Sequence, residues 1–423
     1  MRWAALTLIG SWTLAGQSGA PVNNALPSWL KLGAELRGRA EAPAGAGFTG
    51  GNDDGYYLHR LRLNGAIQPN HRLRLFIQAQ DFQALGISRQ LVPAGFVNTL
   101  DLRQAYLDIG ADTGPLTLRV GRQEMAFGEG RLVGVASWGN TGRSSDAIRL
   151  TLRGSGARAD LLAAALVPVK DGQFDHPRPP DGFYGVYAVF DGLISAAVLE
   201  PLLLWKSAAH TFTEAGSGGD LGMRTAGARW FGNLPRRLDY NVEMAFQTRH
   251  AGSDPIRAWA GHWALTYAAL PDRPLFLLGE SNYASADRDP SDGRRGTFAQ
   301  LYPTNHPHFG TADRVGWRNL HDLMSGLEWK PARQWRLKFD WHNFWLADRR
   351  DAFYTEAGAV FVRNPEAAAS RVGWELDFQP DGQFSERLQL GVGYAHFSPG
   401  PYLKQSGVGG RFRYPYLMWT YAS

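Results

Sequence analysis

One stretch of the sequence concentrates side chains that could bind a metal ion or transfer a proton. The segment LYPTNHPHFGTADRVGWRNLHD, residues 301–322, contains His306, His308, Asp313, His321 and Asp322. Imidazole and carboxylate groups are common ligands of zinc and common general acids and bases. Whether these residues form a metal site, a catalytic site or an ordered loop depends on the elements that carry them.

The composition excludes several kinds of site. The chain has 423 residues and no cysteine, so disulfides, thiolate nucleophiles and cysteine-ligated metal centres are excluded. Apolar residues make up 44% of the chain, yet its mean hydropathy of −0.30 argues against a bundle of membrane helices. The 50 glycines and 12% aromatic residues are typical of a large β-structure with many turns. The net charge of +5 comes mostly from arginine, which suits carboxylate or phosphate binding but equally fits a GC-rich genome.

The amino-terminal segment has the features of a secretory signal. In MRWAALTLIGSWTLAGQSGA, a basic Arg2 precedes an apolar run that ends in small residues. The run is too short for a membrane span and no stop-transfer pattern follows it. We therefore predict a signal peptide over residues 1–20 and a mature chain, residues 21–423, that forms a single domain.

From residue 30 onward, the dominant pattern is alternation of apolar and polar side chains. In LKLGAELRGRA, leucines fall on one face and Arg37 and Arg39 on the other. In RQWRLKFDWHNFW, large aromatic and aliphatic residues alternate with Arg336 and Lys338. About eighteen such segments, each of about 10 to 14 residues, occur along the chain, and a tilted strand of that length crosses a bilayer.

The connections between these segments alternate between short and long. Short ones include QPNH (68–71), GSGA (154–157) and KPAR (330–333). Long ones lie near 42–55, 85–99, 124–143, 168–181, 207–219, 285–317, 347–369 and 398–407. Short periplasmic turns and long extracellular loops are typical of outer-membrane barrels. We therefore predict an all-β fold, a transmembrane antiparallel β-barrel of about 18 strands, in the outer membrane of a Gram-negative bacterium.

A soluble β-sandwich also alternates, but the strands here are too long and too many for one sandwich. Aromatic residues recur at the ends of apolar runs, as in WHNFWLA and AWAGHWALTY, where an interfacial girdle would place them. The chain ends on the aromatic strand RFRYPYLMWTYAS, which is typical of strands read by the barrel-assembly machinery. We accordingly expect that machinery, outer-membrane lipid and lipopolysaccharide as partners, and no nucleic acid.

Two blocks of sequence resemble the alginate-export family of outer-membrane barrels. The first is LRVGRQEMAFGEGRLVG (118–134) followed by WGNTGRSSDAIRL (138–150). The second is QLYPTNHPHFGTADRVGWRNLHDLMSGLEWKP (300–331) followed by DWHNFWLADRRDAFYTEAG (340–358). The resemblance implies a monomeric barrel of eighteen strands that passes an anionic polysaccharide through an arginine-rich lumen, with a periplasmic partner if it exports. Because the family is broad, a general or uptake porin for oligosaccharides or organic acids is the alternative.

Alternation assigns many basic side chains to the polar face, where they would line the lumen and attract anions. The predicted pore-lining set is Arg37, Arg39, Arg60, Arg62, Arg72, Arg74, Arg119, Arg149, Arg153, Arg336 and Lys338. Acidic side chains share this face, so a network that merely stiffens the lumen is the other interpretation. The same pattern places Val372 on the apolar face and predicts that His262 faces outward without a partner.

Two loops hold the remaining candidates. GRQEMAFGEGRLVG lacks the strand, loop and helix order of a phosphate-binding loop. The residues predicted instead to form a polar network that pins this loop to the barrel wall are Arg122, Glu124, Arg143 and Asp146. The segment 301–322 falls in the longest extracellular loop. We predict that it narrows the mouth, with Pro303 stiffening it, His306, His308 and Asp313 in its body, and His321 and Asp322 anchoring its base.

No catalytic residue, cofactor or metal site is predicted. A hydrolase is disfavoured because the chain has no G-x-S-x-G elbow. A surface carbohydrate-binding β-protein, which the tryptophan content would suit, is the third class considered.

Overall fold

The computed structural model describes residues 21–87, 95–178, 181–194, 196–270 and 274–423. The predicted signal peptide lies outside the described residues. Within them, the alternating segments form long strands in one 18-stranded sheet. No helix in the described ranges is long and apolar enough to cross a membrane.

The strands have the following bounds: β1 (Leu30–Glu41), β2 (Tyr56–Asn70), β3 (Leu73–Leu85), β4 (Asn98–Ile109), β5 (Leu116–Gln123), β6 (Ser144–Gly154), β7 (Ala157–Val167), β8 (Gly182–Ile194), β9 (Ala197–Phe212), β10 (Gly218–Leu234), β11 (Leu238–Ala251), β12 (Asp254–Ala268), β13 (Leu275–Ala284), β14 (Leu320–Ala332), β15 (Trp335–Trp345), β16 (Ala352–Tyr354), β17 (Val360–Arg363), β18 (Arg371–Gln383), β19 (Leu388–Pro399) and β20 (Phe412–Ala422). Helical turns span Pro21–Ala25 and Ala46–Phe48, and a short helix, α1, spans Pro401–Gln405.

The sheet closes on itself. Neighbouring strands pair antiparallel, and β1 also pairs with β20, with Arg39 opposite Met418. Strands β16 and β17 pair with each other in a separate hairpin. The predicted antiparallel barrel of about 18 strands is therefore confirmed.

Tight turns and long loops alternate around the barrel, so it has a short-turn end and a long-loop end. Long loops connect β5 to β6 (124–143) and β13 to β14 (285–319), as the sequence predicts. The long loop predicted at 207–219 is wrong, because β9 continues to Phe212 and β10 begins at Gly218. The two strands stay paired beyond the segments that show apolar alternation. Gly218 and Gly219 belong to this paired region, but they have no side chains and so add nothing to the alternating pattern.

The outer face of the barrel is apolar. Leu63, Phe339 and Trp341 are 49%, 44% and 46% exposed, respectively, while their sequence neighbours point inward. A band of such side chains suits the hydrocarbon of a bilayer.

The long-loop end of the lumen is filled by an apolar core. Its fully buried members include Phe298, Trp317, Phe344 and Phe397, contributed by both a loop and the barrel wall. Burying each such side chain contributes about 1.5–3 kcal/mol. Val372 also belongs to this core and is fully buried, so its predicted outward position is wrong; a bulge opposite Phe344 shifts the register at the start of β18.

Candidate functional site

The β5–β6 loop and the β13–β14 loop fold into the barrel and pair with each other. Val133 and Tyr302 form a parallel bridge. The Tyr302 N–H donates to the Leu132 carbonyl at 2.9 Å, and the Gly134 N–H donates to the Tyr302 carbonyl at 2.9 Å. Gly134 is required at this crossing, because a Cβ there would overlap the Thr304 hydroxyl. The loops 124–143 and 285–319 are thus joined inside the lumen, and we call this pair the loop plug.

Arg143 fastens the loop plug. Its Nη1 donates to the carbonyls of Gly134, Tyr302 and Pro303 at 2.8, 2.6 and 3.0 Å. Burial lowers the pKa of Arg143 to about 10, so the guanidinium remains charged at neutral pH. One buried cation therefore satisfies backbone acceptors from both loops.

Four of the predicted pore arginines lie beneath the loop plug. Arg37, Arg39, Arg60 and Arg62 point inward, as alternation predicts, but each is at most 7% exposed. Nη1 of Arg37 donates to the Ser137 carbonyl at 2.9 Å, and Nη1 of Arg39 donates to the Trp138 carbonyl at 2.6 Å.

Carboxylates also contact three of these arginines, Arg39, Arg60 and Arg62. Arg60 bonds Glu35 at 2.6 Å, and Arg39 pairs with Glu41. A solute can reach these guanidinium groups only if the loop segment around Ser137 moves away.

A second group of predicted arginines lies on the wall formed by β3 to β7. Arg119 bonds Asp108 at 2.6 Å and Arg149 bonds Asp160 at 2.9 Å, with side chains 25% and 20% exposed. Arg153 donates to the Thr117 hydroxyl at 2.9 Å. Two predicted members lie toward the short turns: Arg74 on β3 and Arg72 in the β2–β3 turn, where Arg72 is exposed.

A cavity of about 1480 Å³ extends from the loop plug to the short turns. Its lining includes Trp138, Thr304, His306 and His308 from the loops. The lining contains six Lys and Arg side chains and eight Asp and Glu side chains. Of the predicted pore-lining set, it includes Arg336 and Lys338. Arginine therefore does not dominate this part of the lumen.

Where the loop plug meets this cavity, a buried ion-pair network joins loop and wall. Glu129 Oε1 accepts from Arg229 on β10 at 3.0 Å and from Asn241 on β11 at 2.8 Å. Burial alone would raise the pKa of Glu129, but Arg131 and Arg229 hold it at about 2. These three charged residues were missed by the sequence analysis, although Glu129 and Arg131 stand in the segment GRQEMAFGEGRLVG.

His262 belongs to this network, so its predicted outward position is wrong. It is fully buried, with Nδ1 at 2.7 Å from Asn282 Oδ1 and Nε2 at 3.3 Å from Arg131. The inward neighbours Ala258 and Ala260 are small and apolar. Alanine occurs on either face of a barrel, so these two residues did not show which side chains of β12 point inward.

The histidines of segment 301–322 have separate surroundings. His306 Nδ1 lies 2.9 Å from Asp313, and its ring stacks on Trp138 at 3.8 Å. His308 Nε2 lies 2.9 Å from the Glu129 carbonyl. Burial, together with the charge of Arg131, lowers the pKa of His308 well below its usual range, so this histidine is neutral.

His321 and Asp322 lie on opposite faces of β14. The prediction that both anchor the loop is wrong for His321, which is exposed on the outer surface between Tyr283 and Trp345. Asp322 is fully buried in the lumen, where Asn282 donates to it at 2.9 Å. Adjacent strand residues cannot both point inward.

The wall beside the β5–β6 loop carries two further ion pairs. Arg122 Nε lies 2.8 Å from Asp146, and Arg103 lies 2.7 Å from Glu124. The first pair joins β5 to β6, and the second joins β4 to the first residue of the loop.

Two sets of three side chains in the described part of the chain could hold a metal ion. They are Asp340, His342 and Asp377 on the cavity wall, and Glu214, Asp287 and Asp292 in the loops. In each set the ligand atoms lie within 4.8 Å of one another.

Comparison with known proteins agrees with this architecture. A family model described as "Alginate export" matches residues 28–410. No curated protein matches the sequence.

Several solved structures share the fold. The chain is similar to the outer membrane protein OpdK of Pseudomonas aeruginosa, with 9% identity and a TM-score of 0.63 over 93% of this chain and 98% of that one. A structure of OpdK with vanillate gives 10% identity and 0.61 over 93% and 98%. OccAB1 of Acinetobacter baumannii gives 10% identity and 0.61 over 93% and 96%. At these identities the likeness concerns the fold alone.

Proposed function

Because this chain belongs to the alginate-export family and is an outer-membrane channel of a Gram-negative bacterium, we propose that it passes a carboxylated sugar chain of the alginate type. We further propose that the loop plug is its gate. A smaller carboxylate is the second candidate solute, since vanillate, present in one OpdK structure, is an aromatic carboxylate.

The main observation in favour of an anionic solute is a set of like-charged pairs across neighbouring strands. Arg119 lies directly opposite Arg149, and Arg153 lies opposite Arg158. Like charges in such positions destabilise a sheet. A network that only stiffened the lumen would place an acid opposite each arginine, so these pairs favour a role in attracting anions.

The balance of charge on this wall supports the same solute. The carboxylates that bond these arginines are Asp108 and Asp160. Arg158 remains 42% exposed despite its contact with Asp160. Paired guanidinium groups can bind a carboxylate through charge-assisted hydrogen bonds, and they suit a chain with one carboxylate per sugar.

The gating role rests on the position of the loop plug. It lies between the long-loop end and the large cavity, and it covers Arg37 and Arg60, which form a third directly opposite pair. Opening the plug would expose this pair to the solute. Within the gate we place Pro303, His306, His308 and Asp313, with Arg143 as its main fastening.

Recordings from single barrels in planar bilayers test the solute. Under unequal KCl concentrations we expect the reversal potential to show preference for chloride, and alginate oligosaccharides to interrupt the current. A neutral oligosaccharide of equal length should interrupt it much less. Clear preference for potassium would contradict an anionic solute.

Arg119→Gln with Arg149→Gln tests the proposed wall directly. The double variant should weaken the block by alginate oligosaccharides. Arg224→Gln is the matched control, since Arg224 is exposed on the outer face of β10 over the Trp205 ring. If alginate oligosaccharides block both variants equally, the arginines of this wall do not contact the solute during transport.

A further inference from the structure

A histidine and two aspartates meet on the wall of the large cavity. Asp340 and His342 lie two residues apart on β15, and Asp377 on β18 lies directly opposite Asp340. All three residues line the cavity, and none of them is more than 3% exposed. Their ligand atoms lie within 4.8 Å of one another, a spacing that a single metal ion can bridge.

The histidine is held in the orientation of a metal ligand. Nδ1 of His342 lies 3.2 Å from both carboxylate oxygens of Asp322, and because a carboxylate only accepts, Nδ1 carries the proton. Its ring stacks on Phe344 at 5.4 Å. Nε2 has no hydrogen-bond partner among the described residues, so it can bind a metal ion by releasing any proton it holds. A carboxylate behind a metal-binding histidine is the usual supporting arrangement.

The two aspartates also have oxygen atoms available for a ligand. Asp340 Oδ2 bonds Lys338 at 2.6 Å, while Asp340 Oδ1 is buried without a hydrogen-bond partner. Asp377 is oriented by Thr311, whose hydroxyl and N–H donate to it at 2.7 and 3.1 Å. Each carboxylate oxygen has a second lone pair. An unsatisfied buried carboxylate oxygen beside a held imidazole points to a cation as the missing partner.

We propose that Asp340, His342 and Asp377 bind a divalent transition-metal ion of the Zn²⁺ class. An imidazole ligand favours Zn²⁺ over Ca²⁺ and Mg²⁺, which prefer oxygen ligands alone. Three protein ligands leave a coordination position open toward the cavity. If the proposed carboxylated solute is correct, its carboxylate is the group that fills this position during passage.

Metal binding to the purified, untagged barrel tests the site. After EDTA treatment and dialysis, isothermal titration with Zn²⁺ should show one saturable site per barrel, and Co²⁺ should give visible absorption bands. His342→Gln and Asp377→Asn should each abolish this binding. Asp322→Asn, which removes the support and no ligand, should weaken it about 10- to 100-fold.

Asp239→Asn is the matched control. Asp239 lines the same cavity but bonds Asn233 near the short turns, so this variant should bind Zn²⁺ as the parent does. The heat-modified gel mobility of a folded barrel checks each variant. No saturable Zn²⁺ binding by the folded parent, equal binding by His342→Gln, or a preference for Ca²⁺ or Mg²⁺ would each overturn the site. None of these titrations depends on transport, so a barrel that binds Zn²⁺ but ignores alginate would refute only the proposed solute.

Discussion

At the scale of residues, the role of an arginine depends on what covers it. Alternation predicted which way each arginine points, because lipid on one side leaves only one face for a charge. It could not predict that Arg37 meets the carbonyl of Ser137, one hundred positions away. Arg119 has the same sequence signature as Arg37 but remains partly exposed. Whether an arginine in the lumen is buried depends on the loops above it. The path of those loops follows from contacts between distant residues, which a local sequence pattern does not show.

Arg143 offers a direct test of the gate at this scale. Arg143→Met would leave the carbonyls of Gly134 and Pro303 without a donor, at a cost of about 1–3 kcal/mol for each buried acceptor left unsatisfied. The Tyr302 carbonyl would keep only the Gly134 N–H. We expect the loop plug to open more often, seen as a higher mean conductance of single barrels. Arg224→Met on the outer face should leave conductance unchanged. A mean conductance and an opening frequency identical to those of the parent would show that Arg143 does not fasten the gate.

Asp175 gives the β7–β8 loop a dependence on pH. Burial and the neighbouring Asp101 raise the pKa of Asp175 to about 7. Since the ordinary value is about 4, the folded loop holds this proton more tightly than the unfolded loop does. Its contribution to loop stability is therefore full below pH about 4, falls as pH rises to about 7, and changes no further above that.

Amide exchange, corrected for its intrinsic rate, measures this effect. Protection of residues 168–178 should fall between pH 5 and pH 7.5 in the parent. In Asp175→Asn, protection should not change with pH, because the amide does not titrate. A parent loop with constant protection over this range would contradict the assignment.

At the scale of elements, strands were predictable and loops were not. A strand repeats one rule over more than ten residues, so β1 and β15 could be placed from their sequences. The alternation rule gave the wrong face for two residues. His262 has alanines beside it that do not distinguish the two faces, and Val372 lies at a bulge that shifts the register. The general place of the loop plug was predicted, but its pairing through Val133 and Tyr302 is a contact between two long loops that no local pattern reveals.

Because the chain has no cysteine, this pairing can be tested with an engineered disulfide. Bridged β positions lie about 5 Å apart, within the range a disulfide spans. In Val133→Cys with Tyr302→Cys, oxidation should hold the loop plug closed and remove spontaneous openings. Reduction should restore them.

Each single cysteine variant is the control, since Tyr302 also packs against Phe183 and its loss alone could loosen the loops. Both single variants should respond equally little to oxidant and reductant. Openings that persist in the oxidised double variant would mean that the loops permit passage without separating.

At the scale of the whole molecule, the barrel has reversed the usual distribution of charge, with apolar side chains outside and arginines within. Phe339 lies near the middle of β15 and Trp335 lies at its short-turn end, both on the outer face. The cost of a charge should therefore depend on depth along this one strand.

Phe339→Arg should lower the free energy of unfolding in lipid vesicles by about 2–4 kcal/mol, and Trp335→Arg by no more than about 1 kcal/mol. Denaturant titration of the two variants, followed by tryptophan fluorescence, compares them under equal conditions. Equal losses would mean that β15 does not cross the hydrocarbon as the outer apolar band indicates.

The large cavity gives this channel two unlike entrances. The preformed cavity extends to the short turns on the periplasmic side, whereas the folded loops fill the long-loop end. The proposed sugar chain, arriving from the periplasm, would therefore enter the lumen before any part of the protein moves. One arriving from outside must wait for the protein to move first.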